Sequence, residues 1–212
     1  MNNISPLTPI ALWRTVFASF LLMGALATQS ALAAACCTAP DEEEGKTAQL
    51  SSDSIYQLED TWTNADGATV RLSDLRGPHR IVAMFYASCT YVCPMLVADL
   101  KKIEAKLPAD AKVEFTLFSF DPDRDTPAAL KKFAERQDIA LPNWQLLTGS
   151  EDGARELSAV LGIRYRKEPN GDIAHSSPIT LLDGDGRIVA QLSGLNEDPA
   201  PLLHALSDAH DH

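Results

Sequence analysis

The sequence predicts an α/β fold in which helices connect the parallel strands of a central sheet. Two apolar runs rich in β-branched and aromatic residues, at residues 81–86 and 113–120, have the composition of buried strands. Each run is followed by a segment with the features of a helix. With 212 residues, 45% of them hydrophobic, the chain can form one well-packed core and still carry additional segments.

The N-terminal segment has the pattern of a targeting sequence. No charged residue occurs between Arg14 and Asp41, and residues 16–27 are apolar, with small-residue cleavage sites within residues 31–35. A membrane span needs about 20 apolar residues, and this run is shorter. Residues 1–35 are therefore predicted to be a cleaved secretory signal peptide, with an uncleaved membrane anchor as the alternative. Either places the folded domain outside the cytoplasm, where cysteines can be oxidised.

The folded domain is predicted to span residues 55–206, after an acidic linker at residues 36–54. Its first element is a β-hairpin. Short strand patterns at residues 56–62 and 69–72 flank the turn sequence Asn-Ala-Asp-Gly at residues 64–67.

The elements that follow have clear starting and stopping residues. Pro94 suits the first position of a helix, where its missing N–H is not needed. Thr126 is the predicted N-cap of a helix that begins at Pro127, and Gly162 ends a third helix. The predicted strands are residues 81–86, 113–120 and 144–147, the helices are residues 94–107, 127–137, 151–161 and 199–207, and a final hairpin joins residues 179–182 to residues 188–192.

This order of elements matches a thioredoxin-like fold with an added N-terminal β-hairpin and an insertion before the last hairpin. Residues 207–212 are predicted to be a tail that contains histidines. The chain has 29 acidic and 18 basic residues, for a net charge of −11. Such a balance argues against nucleic-acid binding, which needs a basic surface.

The segment Cys-Thr-Tyr-Val-Cys-Pro directly follows the first buried strand. It places Cys89 and Cys93 at a strand-to-helix turn beside the positive end of a helix dipole, which favours the reactive thiolate. Their i,i+4 spacing puts both sulfurs on one helical face, where they can span a metal ion or, with modest adjustment, close a disulfide. The other two cysteines, Cys36 and Cys37, stand near the predicted mature N-terminus, and their role is left open.

A third candidate ligand is expected at the same edge of the sheet. His175 lies just before the strand at residues 179–182, whose start reaches this edge if that strand runs antiparallel to the first two. Asp121 follows the strand at residues 113–120 and is expected there too. Two thiolates and an imidazole suit Cu(I), and less exclusively Zn(II) or Cu(II). No fourth strong ligand is evident, which disfavours a closed structural zinc site. An open three-ligand site suits a protein that passes its metal to a partner.

The chain resembles the Sco/SenC family over about residues 55–206. The resemblance rests on FYASCTYVCP at residues 85–94, on FDPDRDTP at residues 120–127, and on His175, eight residues before an Asp-Gly-Asp-Gly turn. It implies a thioredoxin-like copper protein, membrane-tethered or periplasmic, that assists assembly of the dinuclear copper centre of cytochrome oxidase. Ala174 departs from the family, which commonly has Asp before the histidine, and this difference weighs toward a redox role.

The resemblance also implies the site residues. Cys89, Cys93 and His175 would be the copper ligands, and Asp121 and Asp125 match the acidic motif of the family. From the residues alone, the two acids are expected to be structural, with Asp121 capping the loop after its strand and Asp125 supporting the start of the next helix.

Two functions are carried forward. The leading one is a periplasmic or otherwise extracytoplasmic copper chaperone that binds one copper ion, Cu(I) or Cu(II), through Cys89, Cys93 and His175. It would receive the metal from a copper donor protein and deliver it to a respiratory copper enzyme such as cytochrome c oxidase. The alternative is a thiol-disulfide oxidoreductase that uses Cys89 and Cys93 to keep copper-site cysteines of a partner reduced. Membrane contact would come only from an N-terminal anchor.

Overall fold

The computed structural model describes residues 50–139 and 143–210. The predicted targeting segment and the linker as far as residue 49 lie outside the described residues, as do residues 211 and 212. The described strands are β1 Thr61–Asn64, β2 Thr69–Arg71, β3 His79–Phe85, β4 Val113–Ser119, β5 Trp144–Thr148, β6 Tyr165–Lys167, β7 Ile173–His175, β8 Ile179–Leu182 and β9 Ile188–Leu192, and the helices are α1 Val92–Glu104, α2 Pro127–Arg136, α3 Glu151–Val160 and α4 Ala200–His210.

A seven-stranded sheet in the order β2-β1-β5-β4-β3-β8-β9 forms the centre of the described domain. Strands β3, β4 and β5 are parallel, and β8 runs antiparallel to β3. The predicted thioredoxin-like arrangement is therefore confirmed, including the antiparallel strand that follows His175. The predicted N-terminal hairpin forms as well, and β1 joins it to the main sheet through antiparallel pairing with β5.

The two central strands are buried on both faces, as strands covered by helices must be. Six of the seven residues are buried in each of β3 and β4. Phe115 of β4 stacks on Trp144 of β5 with ring centroids 4.7 Å apart. Full burial of a Phe side chain stabilises a fold by about 1.5–3 kcal/mol. The packing of these strands therefore stabilises the part of the sheet from which the cysteine loop begins.

A charged side chain is buried in strand β3. Arg80 of β3 is only 2% exposed. Its guanidinium donates to Thr116 Oγ1 at 2.8 Å and to the Leu75 carbonyl at 3.0 Å, and it pairs with Glu114 Oε2 at 2.7 Å. A buried charge is tolerated only with such partners.

Helix starts agree with the sequence at α2 and differ at α1. Thr126 caps α2, accepting from the Ala129 N–H at 3.3 Å, and Pro127 occupies the first helical position as predicted. Helix α1 begins at Val92, two residues before the predicted start at Pro94. Proline is tolerated there because the N–H groups of the whole first turn lack intrahelical partners. Cys93 consequently lies inside the helix.

The strand predicted at residues 56–62 is wrong over residues 56–60. Residues Ile55–Gln57 form a 3₁₀ turn, and the strand begins only at Thr61. Ser54 decides this conformation, because its hydroxyl accepts from the Tyr56 N–H at 3.1 Å and donates to the Asp185 carbonyl at 2.5 Å. Ser54, assigned to the linker by the sequence, is thus part of the folded domain.

The insertion predicted before the last hairpin is itself a β-hairpin. Strands β6 and β7 pair antiparallel as a separate two-stranded sheet, with Tyr165 opposite His175. The turn between them includes Gly171 at a φ of 87°, a backbone conformation that favours glycine.

The C-terminal helix is longer than predicted. Helix α4 continues to His210, so the segment from residue 207 is helical as far as it is described. Pro201 lies in its first turn and no proline or glycine follows it within the helix, and a contact between His204 Nδ1 and Asp208 Oδ2 at 2.9 Å spans one turn. Within residues 50–139 and 143–210, no helix is long and apolar enough to cross a membrane.

Candidate metal centre

The two cysteines lie where β3 passes into α1. The Cys89 N–H donates to the Tyr86 carbonyl at 3.1 Å, which forms the turn after the strand. Cys89 is half-buried in this loop, whereas Cys93, in the first turn of α1, is fully buried. Both are free thiols, and the Cys93 backbone N–H donates to Cys89 Sγ at 3.3 Å. The sulfurs are thus brought together as the spacing predicts.

The two thiols have opposite acidities. The hydrogen bond from the Cys93 side chain lowers the pKa of Cys89 to about 5, helped by backbone N–H groups of Cys93 and Tyr91 and by the Tyr86 hydroxyl. The same sulfur–sulfur hydrogen bond, together with burial, raises the pKa of Cys93. At neutral pH the pair is therefore an accessible thiolate beside a protonated, buried thiol.

A buried carboxylate holds the cysteine loop against the neighbouring strand. Asp125 Oδ2 accepts from the Ala87 N–H at 2.9 Å and from Ser119 Oγ at 2.6 Å. Burial raises the pKa of Asp125, the largest influence on this group. The sequence suggested that Asp125 supports the start of α2, whereas its hydrogen bonds to Ala87 and Ser119 fix the backbone two residues before Cys89.

Asp121 is also structural. It is buried and forms an ion pair with Arg124, whose Nη2 donates to the Gly171 carbonyl at 2.6 Å. The loop after β4 is thus tied to the turn of the β6–β7 hairpin.

His175 ends β7 with one ring nitrogen engaged and the other unpaired. Its Nδ1 lies 2.9 Å from the Ser176 carbonyl and 3.1 Å from Ser177 Oγ. A carbonyl can only accept, so Nδ1 carries the proton and Nε2 keeps its lone pair. This Nε2 is buried and has no hydrogen-bond partner among the described residues. The ring lies against Phe120, with centroids 4.8 Å apart.

Tyr86 links the histidine to the thiols, a role that the sequence did not indicate. Its ring meets His175 edge-on, with centroids 6.1 Å apart, and its hydroxyl accepts from the Ile173 N–H at 3.4 Å. Burial, then the neighbouring Cys89, raises the pKa of Tyr86 to about 12. From the sequence, Tyr86 is predicted only to end a buried strand. Its position three residues before Cys89 is the sequence feature that could have indicated a place in the cysteine loop.

The three predicted ligands share one edge of the sheet without forming a closed site. Cys89 and Cys93 are in contact, and Tyr86 lies between them and the histidine, with its ring against His175 and its hydroxyl hydrogen-bonded to Cys89. Across the described parts of the chain, no three His, Cys, Asp or Glu side chains are grouped closely enough to hold a metal ion.

A partly exposed thiolate, a buried thiol and a nearby imidazole on a thioredoxin-like sheet define a thiol-based metal-binding or redox protein. A family model described as SCO1/SenC matches residues 49–210, and the chain belongs to this family. The SCO1 protein homolog of Bacillus subtilis (strain 168) is 31% identical over 149 residues, which cover 68% of this chain and 77% of the relative.

Solved structures show the same fold. BsSco, a member of the Sco family of cytochrome c oxidase assembly proteins in which a disulfide switch was identified, is 28% identical with a TM-score of 0.61, over 71% of this chain and 91% of that one. Arabidopsis thaliana ScoI with copper bound is 22% identical with a TM-score of 0.61, over 72% of this chain and 96% of that one. At that identity the second likeness concerns the fold alone.

Proposed function

We propose that this protein is an extracytoplasmic copper chaperone that binds one copper ion through Cys89, Cys93 and His175. It would deliver the metal to a respiratory copper enzyme of the cytochrome oxidase type. Membership of the SCO1/SenC family, and the likeness to BsSco, a member of the Sco family of cytochrome c oxidase assembly proteins, support this class of function. The extracytoplasmic location rests on the targeting pattern in residues 1–35.

One observation carries the ligand assignment: the buried Nε2 of His175 has no hydrogen-bond partner among the described residues, while Nδ1 is bound to a carbonyl. Metal-ligating histidines have this arrangement, in which the second nitrogen fixes the ring and the free lone pair meets the metal. A buried polar atom without a partner is costly, and a copper ion beside the two thiols would satisfy it.

Copper binding would also require a local movement. Because the three side chains are not grouped in the described structure, the end of β7 must bring His175 closer to Cys89. This end belongs to the separate two-stranded sheet rather than to the seven-stranded one. Its displacement leaves the core pairing of β3 with β4 intact.

The test is titration of the reduced protein with Cu(I) under a competing chelator. We expect one copper per chain, and at least tenfold weaker binding for His175→Ala. His204→Ala is the matched control, because His204 lies exposed on α4 and pairs with Asp208. Equal copper affinity for wild type and His175→Ala would remove the histidine from the site. Failure of the wild type to bind one copper would overturn the chaperone function.

Thiol-disulfide exchange is the second candidate, and the opposite acidities of the thiols favour it. The Cys89 thiolate would attack a partner disulfide and form a mixed disulfide, and the other partner sulfur would leave as a thiolate. Cys93 would then lose its proton and attack Cys89, releasing the reduced partner and leaving a Cys89–Cys93 disulfide. Under this function, His175→Ala should retain the exchange rate of the wild type.

A further inference from the structure

A cleft with a basic rim opens beside Cys89. Its volume is about 530 Å³, within the size range of ligand sites in proteins. It lies between the cysteine loop, the loop after β4 and the exposed face of α2. The cationic residues that line it are Arg124, Lys132 and Arg136. A local cluster of three cations is notable because the chain as a whole carries a net charge of −11.

The cations of α2 are available to a ligand. Of the residues that the structure describes, none forms an ion pair with Lys132 or Arg136, and both are exposed. The Arg136 guanidinium is nevertheless held in place, because Nη2 donates to the Ala87 carbonyl at 2.8 Å and the group lies 5.8 Å from the centroid of the Phe133 ring. A guanidinium has five N–H donors, so most remain for a ligand.

The acidic side chains of the cleft do not neutralise the two cations of α2, Lys132 and Arg136. Asp125 is the one carboxylate among the described lining residues, and it is buried and engaged with Ala87 and Ser119. Asp121 neutralises Arg124 within the loop after β4, which leaves Lys132 and Arg136 as the cleft cations without an ion pair among the described residues. The open side of the cleft is therefore positively charged.

We propose that this cleft binds an acidic segment of a partner protein that lies next to a reactive cysteine of that partner. Carboxylates of the segment would meet Lys132 and Arg136 while its sulfur reaches Cys89. This inference rests on the proposed function, because it concerns the partner protein that exchanges metal or electrons with Cys89. It describes the residues that surround the reacting cysteine of that partner. The geometry favours a peptide segment because the cations and the thiolate line one continuous cleft.

The test measures reaction of Cys89 with three peptides that each contain one cysteine, flanked by Glu, Gln or Lys and supplied as symmetrical disulfides. The protein carries Cys93→Ser, which prevents resolution by Cys93, together with Cys36→Ser and Cys37→Ser, so that Cys89 is the one thiol of the chain. The Cys89 thiolate attacks one peptide sulfur, the peptide disulfide breaks, and the second peptide leaves as a thiolate that takes a proton from solvent. Rates are divided by the rate of each peptide disulfide with 2-mercaptoethanol, which removes its intrinsic reactivity.

We expect the Glu peptide to react at least fivefold faster than the Lys peptide, although the negative net charge of the protein would favour the Lys peptide. The ratio of the two rates should fall toward one at about 0.5 M salt, because salt screens the charges. Lys132→Glu should reverse the ratio. Lys106→Glu changes the net charge equally but lies beyond the far end of α1, and it should leave the ratio unchanged.

Equal rates for the three peptides in the wild-type cleft would overturn the proposal. So would a loss of rate in Lys132→Glu that is the same for every peptide, because that result would mean that Lys132 acts on the thiol and not on the ligand. The measurement uses no copper, so its failure is separate from failure of the copper titration.

Discussion

The backbone N–H of Cys93 donates to the sulfur of Cys89 at 3.3 Å, and it does so because α1 begins at Val92. A helix that began at Pro94 would have left Cys93 outside the first turn. The early start makes Cys89 the sulfur that accepts hydrogen bonds and Cys93 the one that stays protonated. The two ends of one CxxxC motif consequently have different chemical roles.

This difference predicts how many protons copper releases. Between about pH 7 and pH 8 Cys89 is already a thiolate, with a pKa of about 5, whereas Cys93 keeps its proton. Ligation requires both thiolates, so the thiols should release close to one proton and the binding constant should rise about tenfold per pH unit. Calorimetry of the reduced protein in buffers of different ionisation enthalpy measures this number. A release of two protons would mean that Cys89 has an ordinary pKa.

The low pKa of Cys89 should also make the free energy of unfolding of the reduced protein depend on pH. An unfolded thiol has a pKa of about 8.5, so between about pH 5 and pH 8.5 the unfolded chain binds a proton at Cys89 that the folded chain does not. The free energy of unfolding should therefore rise with pH across this window, and this contribution is lost as the pH falls through about 5. Urea denaturation of wild type and Cys89→Ser isolates the effect. A constant difference between the two proteins would contradict it.

Tyr86→Phe should raise the pKa of Cys89 and leave the fold intact. The phenyl ring keeps the packing against His175, but the hydroxyl that hydrogen-bonds the thiolate is lost. A hydrogen bond to a charged group contributes about 1.5 kcal/mol, which corresponds to about a tenfold change in the acid dissociation constant. Thiolate absorbance followed against pH measures the change. Tyr165→Phe is the control, since Tyr165 packs on Phe120 instead; an equal change in both variants would exclude a specific role of Tyr86.

Asp125→Ala should destabilise the protein and slow alkylation of Cys89. The substitution leaves the Ala87 N–H and the Ser119 hydroxyl buried without their acceptor, at a cost of about 2–4 kcal/mol in the free energy of unfolding. Asp123→Ala, in the same loop but exposed, removes only a weak contact with Lys167 and should change stability by less than about 0.5 kcal/mol. Chemical denaturation and iodoacetamide kinetics measure the two effects. Unchanged alkylation in a folded Asp125→Ala protein would show that the loop does not depend on this carboxylate.

The parts of the fold that sequence could predict are those with strong local signals. The buried runs of β3 and β4, and the Thr126–Pro127 start of α2, are determined by composition and capping, and the structure agrees with them. The 3₁₀ turn after Ser54 depends instead on a contact with Asp185, far along the chain. Strands β6 and β7 have three residues each, and of these six only Ile173 is buried, so neither strand has a hydrophobic pattern.

The candidate site likewise has a part that the sequence could predict and a part that it could not. The cysteine pair and its helix follow from adjacent residues, but the pKa of Cys89 depends on Tyr86 and on the exact first turn of α1. The Asp125 contact with Ala87 joins the loops that follow two parallel strands, across 38 positions of the chain, and has no local signature. Binding of copper at Cys89, Cys93 and His175 stays a prediction.

The candidate site combines side chains from two separate sheets. The thiols follow β3 of the seven-stranded sheet, while His175 belongs to the β6–β7 hairpin, which shares no strand with that sheet. A change in the length or turn sequence of the hairpin can therefore reposition His175 while β3 stays paired with β4. Such a change also reaches the Cys89 sulfur, because the Tyr86 hydroxyl that hydrogen-bonds it accepts from the Ile173 N–H of the hairpin. Sequence variation in this one hairpin would therefore act on the imidazole and on thiol acidity together.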